Sequence, residues 1–517
     1  MIYDKTLATA SIGSLIEKSN MITLDNPINI ISNNGNKRVF DPMNMPEILI
    51  NIDQKFMKKI TPDVPRSCRL NMLLAKTVEM VSSKRIVLKE IKNKKILNHY
   101  AICFMPSGSG KDRTINELNN HIFNKFHEYL KNKVAEYRAK QIEEIEMQAN
   151  EEFQGDGNYA DKQRFIKQEK AKLRNLVFEI NIATPEGFAE DAKCIKDAGF
   201  GCILVKVSEL GLMLNNKQAP EIAFLNMLYQ ATDGIIESKS IKTGQRIETV
   251  EGIPINAILF SDPTMFEKQL NSFFELLMQT GLIRRSFLTV AFNYKKSIEE
   301  DPDKAFEIYT QAYNDAEVLS NEIFNIFKEI PSDAAYELTE TAYKKTLHPY
   351  KVEITHKFND VMDKGLLQKE INSREMKVLK MACLFATLNH PKDLYIREKD
   401  IEQAINVVEY LSLDFEAYLK HKPKSNDAYD NMFEFFKENL DIHFNKTPLV
   451  NMYNRFGFGD RADFRANFDY HLDIICDMAL ENGYILNKEE INNNTGLDIY
   501  LTKAPTKNHD TALESIL

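Results

Sequence analysis

The residues best suited to chemistry form a short glycine-rich segment, residues 105–112, with the sequence MPSGSGKD. A glycine-rich turn that ends in Gly-Lys is typical of a loop that wraps a triphosphate, because its backbone N–H groups point at the anion. Lys111 would reach the outer phosphates as a compact positive charge. The segment therefore predicts a P-loop for ATP, whose binding residues would be Pro106, Ser107, Gly108, Ser109, Gly110, Lys111, Asp112 and Arg113.

The flanking residues supply the context that such a loop requires. The apolar run 100–104 before it predicts a buried strand, and a helical pattern begins near Thr114. Two positions depart from the consensus G-x-x-x-x-G-K-[ST]: Met105 replaces the first glycine, and Asp112 replaces the hydroxyl residue that would bind Mg²⁺. A Gly/Ser surface turn that happens to end in lysine is the alternative.

A second chemical position follows the apolar run 201–207, which ends in Ser208 and Glu209. A strand that ends in an acid beside a nucleotide can orient the attacking water, which predicts Glu209 as the catalytic base. Two acids are usual at this point, the first for Mg²⁺, and here Ser208 takes the first place. Asp112 and Glu209 are then the candidate metal ligands. The alternative is an ordinary strand-end acid.

Two further candidates come later in the chain. The apolar run 254–260 ends in Ser261, predicted to sense the γ-phosphate, with Asp262 as the second choice and a simple helix cap as the alternative. Arg284 and Arg285 follow an amphipathic helix predicted at residues 266–279. Either arginine could reach a neighbouring subunit's nucleotide as an arginine finger, with Arg285 preferred; surface salt bridging is the alternative.

Composition sets the broad class. The chain has 517 residues, 43% of them hydrophobic and 27% charged, and no apolar run approaches the length of a membrane span. The six cysteines are scattered, which is typical of reduced thiols in the cytoplasm. The net charge is −9, yet residues 51–100 hold twelve Lys or Arg against four Asp or Glu. That stretch is either a phosphate-binding surface or a solvated helix face.

The pattern of helices, strands and turns predicts an α/β fold with several parts. We expect an N-terminal arm and helical region (1–84), an ATPase core (85–300) with a charged helical hairpin inserted at 115–176, and a helical domain (301–420). A winged-helix-like domain (425–503) and a tail (504–517) follow. The third helix of the winged-helix-like domain would face a DNA major groove, but it carries Asp463, Asp469, Asp473 and Asp477. These charges favour a packing or docking role.

The motifs occur in a characteristic series: PSGSGKD, a charged helical insertion, ATPEGF, SELG, FSDPT and GLIRRSF. This series, over residues 85–415, resembles the phage- and plasmid-encoded RecA-like replicative helicases, which occur alone or as the helicase part of primase-helicases. In that family the ending Gly-Lys-Asp is usual, whereas Ser208 departs from the usual Asp-Glu pair.

The resemblance implies a RecA-like P-loop core with a helical lid that hydrolyses ATP with Mg²⁺. It also implies a ring-shaped homo-oligomer, expected to be a hexamer, which acts on single-stranded or forked DNA with other replication proteins in the host cytoplasm. Two alternatives remain open. One is a packaging or partition ATPase, and the other is a non-catalytic or weakly catalytic ATP-binding loader or assembly protein.

Overall fold

The computed structural model describes residues 28–31, 37–90, 93–153, 159–181, 183–210, 219–236, 249–262, 281–291, 296, 298–360, 366–421, 427–456, 461–481, 484–491 and 496–503. The helix predicted at 266–279 and the tail 504–517 lie outside these residues. The chain divides into two compact units, Met1–Lys420 and His421–Leu517. The described residues form a mixed α/β structure that contains parallel sheets.

The strands of the first unit are β1 (Ile28–Ile31), β2 (Lys37–Phe40), β3 (Val87–Glu90), β4 (Asn93–Ile96), β5 (Tyr100–Phe104), β6 (Glu179–Ile180), β7 (Ile203–Val207), β8 (Ile235–Ile236), β9 (Val250–Glu251), β10 (Ile255–Ser261), β11 (Phe287–Val290), β12 (Ala335–Leu338) and β13 (Tyr395–Ile396). Its helices are α1 (47–60), α2 (Arg66–Ser82), α3 (111–122), α4 (Asn124–Glu152), α5 (Tyr159–Lys172), α6 (Pro185–Ala198), α7 (Ala219–Gln230), α8 (Leu282–Arg285), α9 (Pro302–Glu329), α10 (340–360), α11 (Leu366–Asn389) and α12 (Glu398–His421). Helices α1, α3 and α10 each contain a π-helical turn.

A five-stranded parallel sheet forms the centre of the unit, in the order β11-β5-β10-β7-β6. Every residue of β5 and β10 is buried, as expected for parallel strands covered on both faces. Alternate side chains of β5 enter different cores: Ile102 joins one apolar cluster and Cys103 joins another. The sheet is therefore the middle of three layers.

Helices cover both faces of this sheet. Helix α2 lies on one face, and all 17 of its residues are buried. Helices α6 and α7 contribute Phe188 and Phe224 to the core on the other face. Helix α6 begins as its sequence predicts, because the Thr184 hydroxyl oxygen accepts a hydrogen bond from the Gly187 N–H and a proline occupies the first turn.

The charged insertion forms two antiparallel helices, α4 and α5. Lys170 of α5 pairs with Glu146 of α4 at 2.6 Å, and the rings of Phe153 and Phe165 lie 5.7 Å apart. No residue of α5 is buried. The turn expected between the two helices lies outside the described residues.

The boundaries expected at 84/85 and 300/301 do not separate compact units. A second sheet, in the order β13-β12-β3-β4, joins strands from residues 87–96 to strands from residues 335–396. One apolar core contains Phe56 of α1, Leu73 of α2, Phe327 of α9 and Leu384 of α11. Because the helices of 301–420 bury their apolar faces against α1 and α2, these regions form one unit with a shared core.

A buried ion network joins α11 to α12. Arg374 is fully buried, and its guanidinium contacts Glu370 at 2.7 Å, Glu409 at 2.9 Å and Glu416 at 2.8 Å. Burial alone would raise the pKa of Glu370, but Arg374 and Lys377 outweigh it and lower that pKa to about 2. The ionised carboxylate therefore contributes stability above about pH 4.5, which is lost as the pH falls towards 2.

The second unit has its own apolar core and a three-stranded sheet. Its elements are α13 (Asp427–Glu438), β14 (Phe444–Asn445), α14 (Lys446–Asn451), α15 (Tyr453–Phe456), α16 (Arg461–Ala466), α17 (Phe468–Glu481), β15 (Tyr484–Ile491) and β16 (Gly496–Lys503). In place of the single third helix expected in this domain, the structure has two, α16 and α17. Strands β15 and β16 form an antiparallel ribbon after them. Exposed Asp469 and Asp473 contact Lys446 and Lys488 of the same unit. Two of the four acids thus have local cationic partners.

Among the described helices, none combines the length and the apolar character that crossing a bilayer requires.

The Arg374 network generates a stability prediction. Replacing Arg374 with methionine leaves the buried carboxylates of Glu370 and Glu409, and the partly buried Glu416, without their shared cation. We therefore expect a loss of about 3–5 kcal/mol in the free energy of unfolding. The control is Arg397→Met, because exposed Arg397 pairs with Asp393 at the surface and its loss should cost less than about 1 kcal/mol. Urea titrations monitored by circular dichroism measure both values. Equal losses for the two variants would contradict a structural role for the network.

Candidate functional site

The carboxyl ends of three adjacent strands bring the predicted site residues together. Strand β10 lies between β5 and β7, with Ser261 opposite Phe104 and Leu259 opposite Val207. The glycine-rich loop follows β5, and Glu209 follows β7 by two residues. Because the three strands are parallel, residues separated by more than 90 positions in the chain meet at one sheet edge.

The loop has the backbone conformation that its glycines were expected to supply. Gly108 and Gly110 have φ angles of 76° and 85°, in the left-handed region that glycine adopts without strain. Gly110 is the N-cap of α3, and a Cβ built on it would meet only Val64 at 3.8 Å. Backbone conformation, and not lack of space, therefore requires glycine at this position.

Two hydrogen bonds hold the loop against the sheet edge, and a third lies within the first turn of α3. The Ser107 N–H donates to Asp262 Oδ2 at 2.7 Å, and the Met105 N–H donates to the Ser261 carbonyl at 2.8 Å. The Thr114 hydroxyl donates to the Gly110 carbonyl at 2.9 Å. Asp262, the second choice as phosphate sensor, thus has a position that suits it to anchoring the loop.

Lys111 and Glu209 form an ion pair across the site. Lys111 Nζ lies 2.9 Å from Glu209 Oε2, with the lysine side chain 8% exposed and the glutamate side chain 28% exposed. The Lys111 ammonium also lies 6.0 Å from the centre of the Phe260 ring. A phosphate entering the loop would compete with the Glu209 carboxylate for the ammonium, and it would release that carboxylate.

Two hydroxyl groups at this edge fit a polar ligand. The side-chain oxygens of Ser109 and Ser261 are buried and have no hydrogen-bond partner among the described residues. Buried hydroxyls are normally hydrogen-bonded, so these two suit a ligand that brings acceptors or donors with it. Together with Lys111 and the N–H groups of the loop, they fit the phosphates of a nucleotide.

Among its described residues, the structure supplies few side chains that could bind a metal ion at this site. Asp112 and Ser208 are exposed, and Glu209 is engaged by Lys111. No group of three or more His, Cys, Asp or Glu side chains suited to a metal occurs in the part of the chain that the structure describes. Mg²⁺ commonly binds through one or two carboxylates together with substrate phosphates and waters. Asp112 and Glu209 fit that pattern only when phosphates supply further ligands.

The remaining predicted binding residues line the outer side of the loop. Pro106 is half-buried and Ser107 and Gly108 are exposed, so the middle of the loop is open to solvent. Arg113 is exposed on the first turn of α3, where its guanidinium lies 3.9 Å from Glu117. The structure gives Arg113 a local partner on its own helix.

The two arginines lie at the opposite edge of the same sheet. Both belong to α8, which immediately precedes the amino end of β11. Arg285 pairs with Asp233 at 3.0 Å and lies 4.5 Å over the ring of Tyr229, whereas Arg284 donates to the Tyr229 hydroxyl at 3.1 Å. The structure does not bring either arginine to the glycine-rich loop of its own chain. Arg285 forms a salt bridge, which was the alternative to an arginine finger.

Comparison with known proteins adds little to this geometry. No family model matches the chain, and no curated protein matches it. Among solved structures with a detectable likeness is a full-length MCM homolog from Methanopyrus kandleri, with 14% sequence identity and a TM-score of 0.32. The alignment covers 72% of this chain and 62% of that one. A likeness this weak leaves the function to be argued from the site.

Asp262 generates a prediction about the loop. Asp262→Ala removes the acceptor for the Ser107 N–H, so we expect about ten-fold weaker binding of ATP, the size of one hydrogen bond to a charged group. Asp262→Asn keeps a side-chain oxygen at the same position and should bind within about three-fold of wild type. Isothermal titration calorimetry measures both affinities. Wild-type binding by Asp262→Ala would show that this contact does not order the loop.

Proposed function

We propose that the chain is an ATP-driven DNA helicase or translocase, with a RecA-like P-loop NTPase core, that works as a ring-shaped oligomer. One observation supports the proposed ATPase activity. The glycine-rich loop, Lys111, Glu209 and Ser261 all lie at one edge of a parallel sheet. These are a phosphate cradle, a cation, a carboxylate and a hydroxyl, each of which has a role in phosphoryl transfer.

In this proposal the nucleotide rearranges the ion pair seen in the structure. The ATP phosphates occupy the loop and take over the Lys111 ammonium from Glu209. The freed carboxylate then orients a water for attack on the γ-phosphate, and the buried Ser261 hydroxyl bonds to that phosphate or to the water. Asp112 and Glu209 would hold Mg²⁺, which supplies positive charge to the phosphates.

Neighbouring subunits complete the proposed site. Arg284 and Arg285 lie at the sheet edge away from their own P-loop, so either would act only on the nucleotide of an adjacent subunit. A trans-acting arginine requires an oligomer in which the two edges of neighbouring subunits face each other. This geometry supports a ring, with a hexamer as the proposed stoichiometry.

The DNA substrate is supported by the motif series and not by a described DNA site. The order of motifs over residues 85–415 resembles replicative helicases of phages and plasmids. We therefore propose single-stranded or forked DNA as the substrate, other replication proteins as partners and the cytoplasm of the host cell as the location. The acidic second unit, proposed to be a winged-helix-like module, suits protein docking better than phosphate contact.

A second candidate function follows from Ser208. Its exposed hydroxyl occupies the place where a carboxylate would normally help to hold Mg²⁺. A site that binds ATP but hydrolyses it slowly would suit a helicase loader or another assembly protein. Packaging of duplex DNA is the remaining alternative within the ATPases.

Two substitutions separate binding from hydrolysis. Lys111→Ala should weaken ATP binding and abolish turnover, because it removes the ammonium that would contact the phosphates. Glu209→Gln should bind ATP at least as well as wild type, because the competing carboxylate is gone, while hydrolysis falls by about 10²-fold or more. Calorimetry and a phosphate-release assay measure the two quantities.

The pattern of outcomes decides between the candidates. Normal turnover by Lys111→Ala would refute the P-loop assignment, and normal turnover by Glu209→Gln would leave Glu209 as a strand-end acid. A wild-type protein that binds ATP and oligomerises with it, but does not hydrolyse it, would favour the assembly protein. Lys131→Ala is a matched control, because exposed Lys131 lies on α4 and not on the loop.

The proposed substrate can be tested by measuring which kinds of DNA stimulate ATP hydrolysis. We expect single-stranded and forked DNA to raise the ATPase rate, and forked DNA to be unwound by wild type but not by Glu209→Gln. Stimulation by blunt duplex DNA without unwinding would favour a packaging enzyme. Electron microscopy of the wild-type protein with ATP and forked DNA should show a closed ring on the strand.

A further inference from the structure

A cavity of about 370 Å³ lies at the sheet edge opposite the P-loop. It is bounded by the amino ends of β5 and β11, by α8 and by α11, and Tyr100 and Phe287 belong to its wall. Strand β5 is five residues long, so at about 3.3 Å per residue the cavity and the P-loop are separated by roughly 15 Å. The two are different sites.

Most of the charged side chains that line this cavity are positive. Six lysines and arginines face it: Lys95, Arg284, Arg285, Lys369, Lys377 and Lys380. Asp233 is the single carboxylate among the described lining residues. The basic character expected for residues 51–100 contributes Lys95, whereas Lys369, Lys377 and Lys380 come from α11 and were not anticipated.

Acidic partners neutralise two of the six cations. Lys377 pairs with Glu370 at 2.9 Å, and Arg285 pairs with Asp233 at 3.0 Å. Among the described residues no carboxylate lies within ion-pair distance of Lys380, which donates to two neutral oxygens, Asn98 Oδ1 at 2.6 Å and the Thr232 carbonyl at 3.2 Å. A cation without a counter-ion in a sheltered site favours binding of an anion.

One wall of the cavity contains two stacked rings, and the Lys377 ammonium lies 5.1 Å from the centre of the Phe287 ring. The rings of His99 and Phe287 stack with centroids 4.8 Å apart and an interplanar angle of 12°. Burial, with smaller contributions from Lys377 and Lys380, lowers the pKa of His99 to about 3, so the imidazole is neutral at physiological pH. Met376 and Leu97 extend this wall. The cavity therefore offers cations beside an apolar surface.

We propose that this cavity is a binding site for a small phosphate-bearing ligand of the nucleotide class, separate from the P-loop. The phosphate would lie against Lys380, and the flat organic part would lie near Phe287. The volume falls within the range of small-molecule pockets, and a duplex groove-binding surface would be far more extended. The proposal does not depend on the proposed function of the P-loop.

The probe is ADP without Mg²⁺, titrated into the full chain by calorimetry. With the P-loop disabled by Lys111→Ala, we expect one ADP per chain to remain bound. Adding Lys380→Met keeps the apolar stem and removes the charge, and should weaken this binding by about ten-fold or more, as expected for a charge-assisted hydrogen bond. Lys369→Glu, at an exposed rim position, should also weaken it without disturbing the fold.

The matched control is Lys131→Glu, an equal charge change at an exposed position on α4 that does not line the cavity. It should leave the affinity unchanged. If wild type and Lys111→Ala bind ADP alike but Lys380→Met removes the binding, the result supports the proposed site in the cavity and contradicts the P-loop assignment. If neither Lys380→Met nor Lys369→Glu affects the residual binding, or if an oligonucleotide binds there and ADP does not, the proposal is wrong.

The pH dependence gives a second measurement. Burial lowers the pKa of Lys380 to about 8, and the ammonium is charged below that value, so affinity for ADP should fall as the pH rises from 7 to 9. The charged groups around Lys380 are Lys95 of β4, Asp233 after α7, Arg285 of α8 and Lys377 of α11. Lys380→Arg keeps its charge at pH 9 and should flatten the profile. An unchanged profile in this variant would overturn the role of Lys380.

Discussion

The parallel pairing of β10 with both β5 and β7 is the constraint on which the candidate site depends. Parallel strands place all their carboxyl ends at one edge, where the backbone must leave the sheet and the polar side chains that follow are free of the ladder. Here that edge collects the loop after β5, Ser261 at the end of β10 and Glu209 after β7. A change of strand order would separate Lys111 from Glu209, whatever the sequence of the loop.

The same strand pairing also determines which side chains meet at the amino ends of the strands. The amino ends of β5 and β11 meet α8 and α11, and this edge carries cations where the first edge carries a balanced ion pair. Helix α11 contributes to two environments at once. Its Arg374 is fixed by carboxylates of α11 and α12, whereas Lys380, almost two turns later, contacts only neutral oxygens at the cavity. The buried network therefore positions the helix that supplies the cavity's charge.

Local sequence patterns predicted the main elements of the central sheet well. The structure confirms β5 at the predicted residues and β7 and β10 within one or two, and helix α6 begins at its predicted Thr184 cap. These features depend on neighbouring residues: continuous apolar runs for buried strands, and a hydroxyl followed by proline for the helix start. Domain boundaries were less predictable. The sequence pattern of residues 301–420 predicts a separate helical domain. In the structure, however, the apolar faces of its helices pack on helices from residues 47–82.

The sequence alone determined the glycine-rich loop, its lysine and the apolar strands around it, because short-range conformational preference and burial are encoded in adjacent residues. Only the tertiary structure decided that Lys111 meets Glu209, that Asp262 holds the loop, and that Arg284 and Arg285 lie at the far edge. It also decided the cationic cavity, whose lining residues come from chain positions 78 to 381. No spacing rule joins such positions. Strand order and helix packing bring them together, and both depend on the burial of side chains throughout the unit.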